Sequence, residues 1–197
     1  MDKKGFTIIE LVFVLILMAV VAAVASPMIF RGPSSVTTPA LARKIRDDIR
    51  YAQSLALIRS NLDSPASTEP AFLYRISFNT VDASCTGTNR YSITNDADRD
   101  NNWGENPNES NAVESARSPA TGQDYYCVQM DSGDYSGFTI SADFGGSAPG
   151  VLEFDNSGIP YDSDGVKLTA SKSVVVSKGG QTETIVVTPN TGMVSIQ

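Results

Sequence analysis

The chain has 197 residues, 41% of them hydrophobic, and a formal net charge of -7. It contains no histidine and two cysteines, which removes the commonest general base and excludes a four-cysteine zinc site. The charge is uneven, because residues 31–60 carry six basic and two acidic side chains, whereas residues 61–197 carry seven basic and 18 acidic ones. Residues 61–197 are acidic enough to repel the phosphate groups of nucleic acids, and we therefore expect this region to bind no nucleic acid.

The first 30 residues are the most strongly patterned part of the sequence. A basic leader containing Lys3 and Lys4 precedes an apolar run, 6–30, in which Glu10 is the only charged residue. The run exceeds the roughly 20 apolar residues that a membrane-spanning helix needs, and the two lysines favour a cytoplasmic start with the remainder exported. The competing interpretation is a secretory signal peptide cleaved near Ser26, although the apolar run is longer than a signal core.

The residues around Gly5 carry a family resemblance. The run KGFTIIE, residues 4–10, resembles the processing site of type IV prepilins and type II secretion pseudopilins. The resemblance implies cleavage by a prepilin peptidase after Gly5 and N-methylation of Phe6. Glu10 would stay in the membrane and neutralise the amino terminus of a neighbouring subunit, which offsets part of the cost of burying a carboxylate. Partners would be other pilin or pseudopilin subunits, the peptidase and methyltransferase, the lipid membrane and an inner-membrane assembly platform.

Two features are expected to follow the apolar run. Pro27 removes a backbone donor and predicts a helix break, so that the chain forms either a kinked continuous helix or a short link near 31–38. Thr38 and Pro39 then resemble the start of a helix, and 40–61 shows apolar residues at spacings of three and four. The opposite face is basic and is expected either to be solvated or to meet the acidic heads of neighbouring subunits. It comprises Arg43, Lys44, Arg46, Asp47, Arg50 and Arg59.

The remainder of the chain changes to a strand-and-turn pattern. Alternating apolar residues separated by Gly, Asn and Asp turns predict a mostly antiparallel β-rich head. The predicted strands are 72–78, 90–94, 125–130, 137–141, 151–154, 167–169, 173–177, 183–188 and 193–196. Residues 152–160 and 185–194 also resemble the GspH/FimT group of minor pseudopilins and pilins, which implies a long helix packed on two sheets. The basic, DNA-binding tail of some FimT-type members is absent from residues 191–197.

Two residue sets in the head invite a chemical interpretation. Cys85 and Cys127 are expected to form a disulfide in an oxidising compartment, a redox-active pair being the less favoured alternative. Asp96, Asp98 and Asp100 alternate in a polar loop, as carboxylates do in oxygen-liganded calcium sites. They do not complete a calcium-loop pattern, and a solvated acidic loop is the favoured alternative. The same two alternatives apply to a second acidic turn with Asp155, Asp162 and Asp164.

Together these features predict an α+β, pilin-like protein. We expect a leader at 1–5, a transmembrane and polymerisation helix at 6–30, an amphipathic helix at 31–61 and a β-rich head at 62–197. The predicted function is that of a minor pilin or pseudopilin, with a major pilin as the alternative. It would reside in the bacterial inner membrane with its head in the periplasm, and then in a periplasmic pseudopilus or an extracellular pilus. A different class remains open: an exported or membrane-anchored binding module, or an enzyme, with an ordinary signal segment.

Overall fold

The computed structural model describes residues 8–29, 36–59, 74–80, 85, 87–96, 103–104, 114–123 and 125–197. Of residues 23–29 and 59 it describes the backbone alone. The chain divides into two units, with the boundary between Ser35 and Val36. Each is described by itself below. The predicted leader at 1–5 and the start of the head at 62–73 lie outside the described residues.

Two helices account for the helical part of the described chain. Helix α1, Ile8–Ile29, belongs to the first unit, and helix α2, Thr38–Arg59, belongs to the second. Pro27 does not end α1, which continues for two more residues. Residues 30–35, where a link between the helices was expected, lie outside the described residues. Helix α2 thus groups with the strands rather than with α1, and the predicted start at Thr38 and Pro39 is confirmed.

Helix α2 forms because its apolar residues fall on one face. Leu41, Ile45, Ile49, Ala52 and Ala56 recur at spacings of three or four and are all fully buried. This is the spacing that places side chains on one side of a 3.6-residue helix. The predicted amphipathic stripe is therefore confirmed, and it forms one wall of the core.

Within the described ranges, nine strands form two antiparallel sheets. Their order is β3-β2-β1-β5-β6 in the five-stranded sheet and β4-β7-β8-β9 in the four-stranded sheet. The strands are β1 Tyr74–Phe78, β2 Arg90–Thr94, β3 Cys127–Gln129, β4 Thr139–Asp143, β5 Val151–Phe154, β6 Pro160–Tyr161, β7 Lys172–Lys178, β8 Gln181–Val187 and β9 Val194–Ile196. The predicted α+β class with an antiparallel, β-rich head is confirmed.

Most predicted strands appear close to their predicted bounds, and three differences have clear causes. The predicted strand 167–169 is wrong, because of these residues only Lys167 pairs, through a single bridge to Tyr161. Strand β6 was not predicted, since two residues are too few to show an alternating pattern. Strand β4 begins two residues later than predicted, since Gly137 has a φ of +85° and belongs to the preceding turn.

The core lies between α2 and the two sheets, and one hydrophobic cluster joins all three. The side chains of Asn79 and Asn89 link the two sheets by hydrogen bonds. The Asn89 side chain accepts from the Ile140 amide at 3.2 Å and donates to the Phe138 carbonyl. Asn79 donates to the Ile140 carbonyl at 2.8 Å and accepts from the Arg90 amide at 3.0 Å. These bonds also cover the outer edge of β4, an edge that could otherwise pair with another chain.

Candidate assembly helix and the anchor of the head

Helix α1 is apolar on every side. Its side chains are described for 8–22, where Glu10 is the single charged residue. Large apolar side chains along this stretch are exposed, and their exposed fractions range from 47% at Val12 to 85% at Ile8. A helix that is hydrophobic all round is normally covered by protein or lipid. Exposed apolar surface of this extent therefore indicates a contact surface rather than a solvated helix.

Glu10 lies in the first turn of α1 and is exposed. A carboxylate is favoured there because the amino-terminal end of a helix carries a partial positive charge. Gly5 and Phe6, the predicted cleavage and methylation residues, lie outside the described residues. In the described part of the chain, no helix has the length and hydropathy needed to cross a membrane.

The head is anchored to α2 by a buried carboxylate, that of Asp48, which is 7% exposed. Its Oδ2 accepts from the Tyr91 hydroxyl at 2.5 Å and from Lys44 Nζ at 3.0 Å, and its Oδ1 accepts from the Tyr126 hydroxyl at 2.6 Å. Lys44 also donates to the Tyr126 oxygen at 2.8 Å. We call these four residues the Asp48 cluster. Because the carboxylate has three donors, most of the cost of burying it is offset.

The two tyrosines of the Asp48 cluster are held in their neutral, donating form. Burial raises the pKa of Tyr91 well above its usual value, and the neighbouring Asp48 carboxylate raises it further. The pKa of Tyr126 is raised for the same two reasons in the same order. Both hydroxyls therefore keep their protons at any physiological pH and keep donating to Asp48.

Beyond Asp48, α2 is held to strand β9 by Arg50 and to two loops of the head by Gln53. Arg50 donates to the Val194 carbonyl of β9 at 2.7 Å. The Gln53 amide donates to the carbonyls of Gly158 and Thr191 at 2.8 and 2.9 Å. The amide can approach so closely because Gly192 has no side chain. A Cβ at Gly192 would lie 2.6 Å from Gln53 Nε2, and the residue has a φ of +62°.

The predicted basic face of α2 needs one correction. Lys44 does not belong to it, because this side chain turns into the Asp48 cluster. Arg43 and Arg50 are exposed, and Arg46 pairs with the neighbouring Asp47 at 2.8 Å. Only the backbone of Arg59 is described. The exposed cations are thus fewer than the sequence pattern indicated.

The predicted disulfide between Cys85 and Cys127 is present. It closes a separation of 42 residues and ties β3 to residue 85. The disulfide lies on the face of the five-stranded sheet that is turned away from α2. That face carries polar side chains, such as Ser77, Ser92 and Thr94, although it is buried. On that face Arg75 stands between Thr94 and Glu153 on adjacent strands, with its guanidinium 4.4 Å from the ring centre of Trp103.

Burial has a strong effect on Glu153, which is 5% exposed. It raises the pKa of this carboxyl group from 4.5 to about 7, against the opposing charge of Arg75 and with a smaller contribution from Asp162 and Asp164. Glu153 is therefore partly protonated at neutral pH.

The structure gives no support to a metal centre among the residues it describes. Asp98 and Asp100 lie outside them, and Asp96 alone of the predicted calcium ligands is described. In the second acidic turn, Asp155 accepts from the amides of Ser157 and Ile159 at 2.8 Å. Asp162 and Asp164 likewise accept backbone amides, those of Val166 and Ser147 among them. No group of three acidic, histidine or cysteine side chains placed to hold a metal occurs in the described ranges.

Sequence reasoning missed the Asp48 cluster, although one signal for it was present. Asp48 lies three residues after Ile45 and four before Ala52, so it shares the apolar face of α2. A carboxylate on a buried face requires donors from elsewhere in the fold. Which tyrosines provide them depends on strand pairing, and the sequence does not show that.

Comparison with known families gives one match, at the start of the chain. Residues 1–26 match the family described as the prokaryotic N-terminal methylation motif. The match supports a type IV pilin-like precursor, which is processed by prepilin peptidase and assembles with other pilins. No curated protein and no solved structure matches the chain. The motif points to a structural protein of a bacterium, anchored in a membrane or part of a surface pilus.

Proposed function

We propose that this chain is a minor pilin or pseudopilin of the GspH/FimT type, which serves a type II secretion pseudopilus or a type IV pilus. The observation that carries the proposal is the methylation motif at residues 1–26. It supports cleavage after Gly5 and methylation of Phe6. The subunit would then wait in the inner membrane, with its head in the periplasm, until the assembly platform adds it to a filament.

The surface of α1 supports the assembly step. Its apolar side chains from Ile8 to Val21 are exposed, and packing such helices side by side would remove this area from water or lipid. Burial of apolar area stabilises association by roughly 25 cal/mol per Å² where water is displaced. Glu10 would neutralise the methylated amino terminus of the neighbouring subunit as the helices pack.

The head supports a structural role rather than an enzymatic one. The buried Asp48 carboxylate, in a residue that is only 7% exposed, holds α2 on the sheet. The exposed arginines of α2, Arg43 and Arg50, would face the acidic heads of neighbouring subunits. Such exposed pairs contribute about 0.2–1 kcal/mol each, so they would orient subunits rather than hold them.

The assembly role is tested by replacing Glu10 with leucine. We expect Glu10→Leu to insert into the inner membrane as the natural chain does, since the change makes the helix more apolar. We expect it to be absent from filaments, because the amino terminus of the neighbour would lose its counter-charge. The measurement is the amount of subunit in sheared or cross-linked filaments, relative to the amount in the membrane.

Val14→Leu, one turn further along α1, is the matched control and should be incorporated normally. Normal incorporation of Glu10→Leu would overturn the proposed role of the carboxylate. Failure of both variants to reach the membrane would instead contradict the membrane location itself.

A further inference from the structure

A cleft on the head, away from the contacts that fasten the end of α2, has the features of a ligand site. Its volume is about 570 Å³, within the 300–1,000 Å³ typical of small-molecule sites. One wall is Lys44 of α2, and another is β3 with the residues before it. The remaining walls are the turn 118–123 and the short 3₁₀ turn Gly133–Tyr135.

The lining of this cleft combines aromatic faces with neutral hydrogen-bonding groups. Three tyrosines contribute to it, of which Tyr125 is 42% exposed. Amides come from Gln123 and Gln129, and hydroxyls from Ser118, Thr121 and Ser132. Among the lining residues that the structure describes none is acidic, although the head as a whole carries a large excess of carboxylates.

These walls are held in place before any ligand arrives. Tyr126 is fixed by its bonds to Asp48 and Lys44 at 2.6 and 2.8 Å. Cys127 is fixed by its disulfide to Cys85. The turn 118–123 is closed by two backbone bonds of 2.8 Å, between Ser118 and Gln123 and between Gly122 and Ser118. A site whose walls are already ordered loses less entropy on binding, which favours weak ligands in particular.

The surroundings of the cleft narrow the choice of ligand. Asp131 and Asp134 are exposed beside it, so a polyanion would be repelled. Lys44 faces the cleft with 30% of its side chain exposed, while its ion-pair partner Asp48 lies behind it with 9% exposed. The ammonium group can therefore donate to a neutral oxygen without attracting a second anion. A purely apolar ligand would displace water from the lining hydroxyls and amides without replacing the hydrogen bonds of that water.

We propose that this cleft binds a neutral saccharide, with the apolar face of a sugar ring on Tyr125 or Tyr135 and its hydroxyl groups on the amides of Gln123 and Gln129. Aromatic rings offer a flat apolar surface beside a polar rim, which matches a pyranose ring. Asp48 would act as a positioning residue, because it sets the place of Tyr126 and Lys44 without lining the cleft itself. The inference does not depend on filament assembly.

The test uses the full chain in a detergent that has no sugar headgroup. The probes are the neutral trisaccharides of glucose, mannose, galactose and N-acetylglucosamine, with trigalacturonate as the acidic probe and a tyrosine-rich tripeptide as the peptide probe. Saturation-transfer NMR detects binding in the millimolar range or tighter. We expect at least one neutral trisaccharide to bind and trigalacturonate to bind at least about tenfold more weakly.

Gln123→Ala removes one lining amide, and Gln181→Ala removes an exposed glutamine at the start of β8, outside the cleft. We expect the first to weaken binding by about three- to tenfold and the second to leave it unchanged. Tyr135→Ala should weaken it at least as much, and an unchanged circular dichroism spectrum would show that the head remains folded. The proposal is overturned if no neutral trisaccharide binds, if the acidic or peptide probe binds as well, or if both glutamine variants behave alike.

Discussion

Helices α1 and α2 have the same length, 22 residues, and each carries a carboxylate among apolar residues. Their surroundings differ completely. Asp48 of α2 is enclosed by Tyr91, Tyr126 and Lys44, and the apolar face beside it is fully buried. Glu10 of α1 is exposed, as are the apolar side chains around it. The difference teaches that the apolar face of α2 is buried by the strands of its own chain. The exposed apolar surface of α1 is instead suited to contacts with other molecules.

The largest expected effect concerns the buried carboxylate, that of Asp48. Asp48→Ala would remove the carboxylate to which Lys44 and the hydroxyls of Tyr91 and Tyr126 donate. We expect it to lower the free energy of unfolding of the head by about 3–5 kcal/mol, as for other broken buried pairs. Urea unfolding of the full chain in micelles, followed by near-ultraviolet circular dichroism, measures the change.

The neighbouring Asp47 offers a matched control, because it is exposed and forms its ion pair with Arg46, at the surface. Asp47→Ala should change the free energy of unfolding by less than about 0.5 kcal/mol. Equal effects of the two alanine variants would contradict the anchoring role of Asp48.

The carboxyl group of Glu153 is also buried, and its contribution to the free energy of unfolding depends on pH. Because burial raises its pKa to about 7, the folded head keeps this proton at pH values where the unfolded chain, with a pKa of 4.5, has lost it. The contribution of Glu153 therefore makes the free energy of unfolding fall as pH rises from about 4.5 to about 7. Glu153→Gln should abolish that fall and stabilise the head at pH 8 by on the order of 2 kcal/mol.

The check is the difference in unfolding free energy between the natural chain and Glu153→Gln at pH 4.5 and pH 8. Glu183→Gln, a change on the partly exposed β8 strand, should show no such difference. A gain in stability that is the same at both pH values would rule out an elevated pKa at Glu153.

The smallest expected effect concerns the fit of α2 against the turn before β9. Gly192→Ala introduces a Cβ 2.6 Å from Gln53 Nε2 and 3.0 Å from the Gly158 carbonyl oxygen. Gly180→Ala is the matched control, since this glycine also has a positive φ, of +82°, but nothing lies within 4 Å of the added Cβ. Both variants carry a backbone cost of about 1 kcal/mol.

Gly192→Ala should lower the free energy of unfolding further, by about 1 kcal/mol, because it displaces the Gln53 amide from its two carbonyl acceptors. Thermal unfolding of the two variants side by side measures the excess. If they are equally destabilised, the contact between Gln53 and the turn contributes nothing to the docking of α2.

The sequence predicted those features that depend on local pattern. The stripe from Leu41 to Ala56 predicted α2, and alternation predicted β1, β2, β5, β7 and β8 near their observed bounds. The two cysteines predicted the disulfide because they had no competing partners. Such features need only the periodicity of each segment and the chemistry of single residue types.

What the sequence did not predict depends on which strands become neighbours. Lys44 was assigned to the solvated face of α2, but its long side chain reaches the Asp48 carboxylate one turn away and the Tyr126 hydroxyl, 82 positions further along the chain. Strand order places β5 beside β1, so that Ser77 pairs with Val151 and Tyr74 with Phe154, far apart in the sequence. The buried polar face around Arg75 and Glu153 follows from this pairing.

The most direct test of the account is mass spectrometry of the amino terminus of the mature chain, isolated from bacterial membranes. The account predicts a chain that begins at Phe6, with a methyl group on its amino nitrogen and with Glu10 retained. A chain that begins near Ser26 would contradict it, because α1 would then be a discarded signal and could not assemble anything.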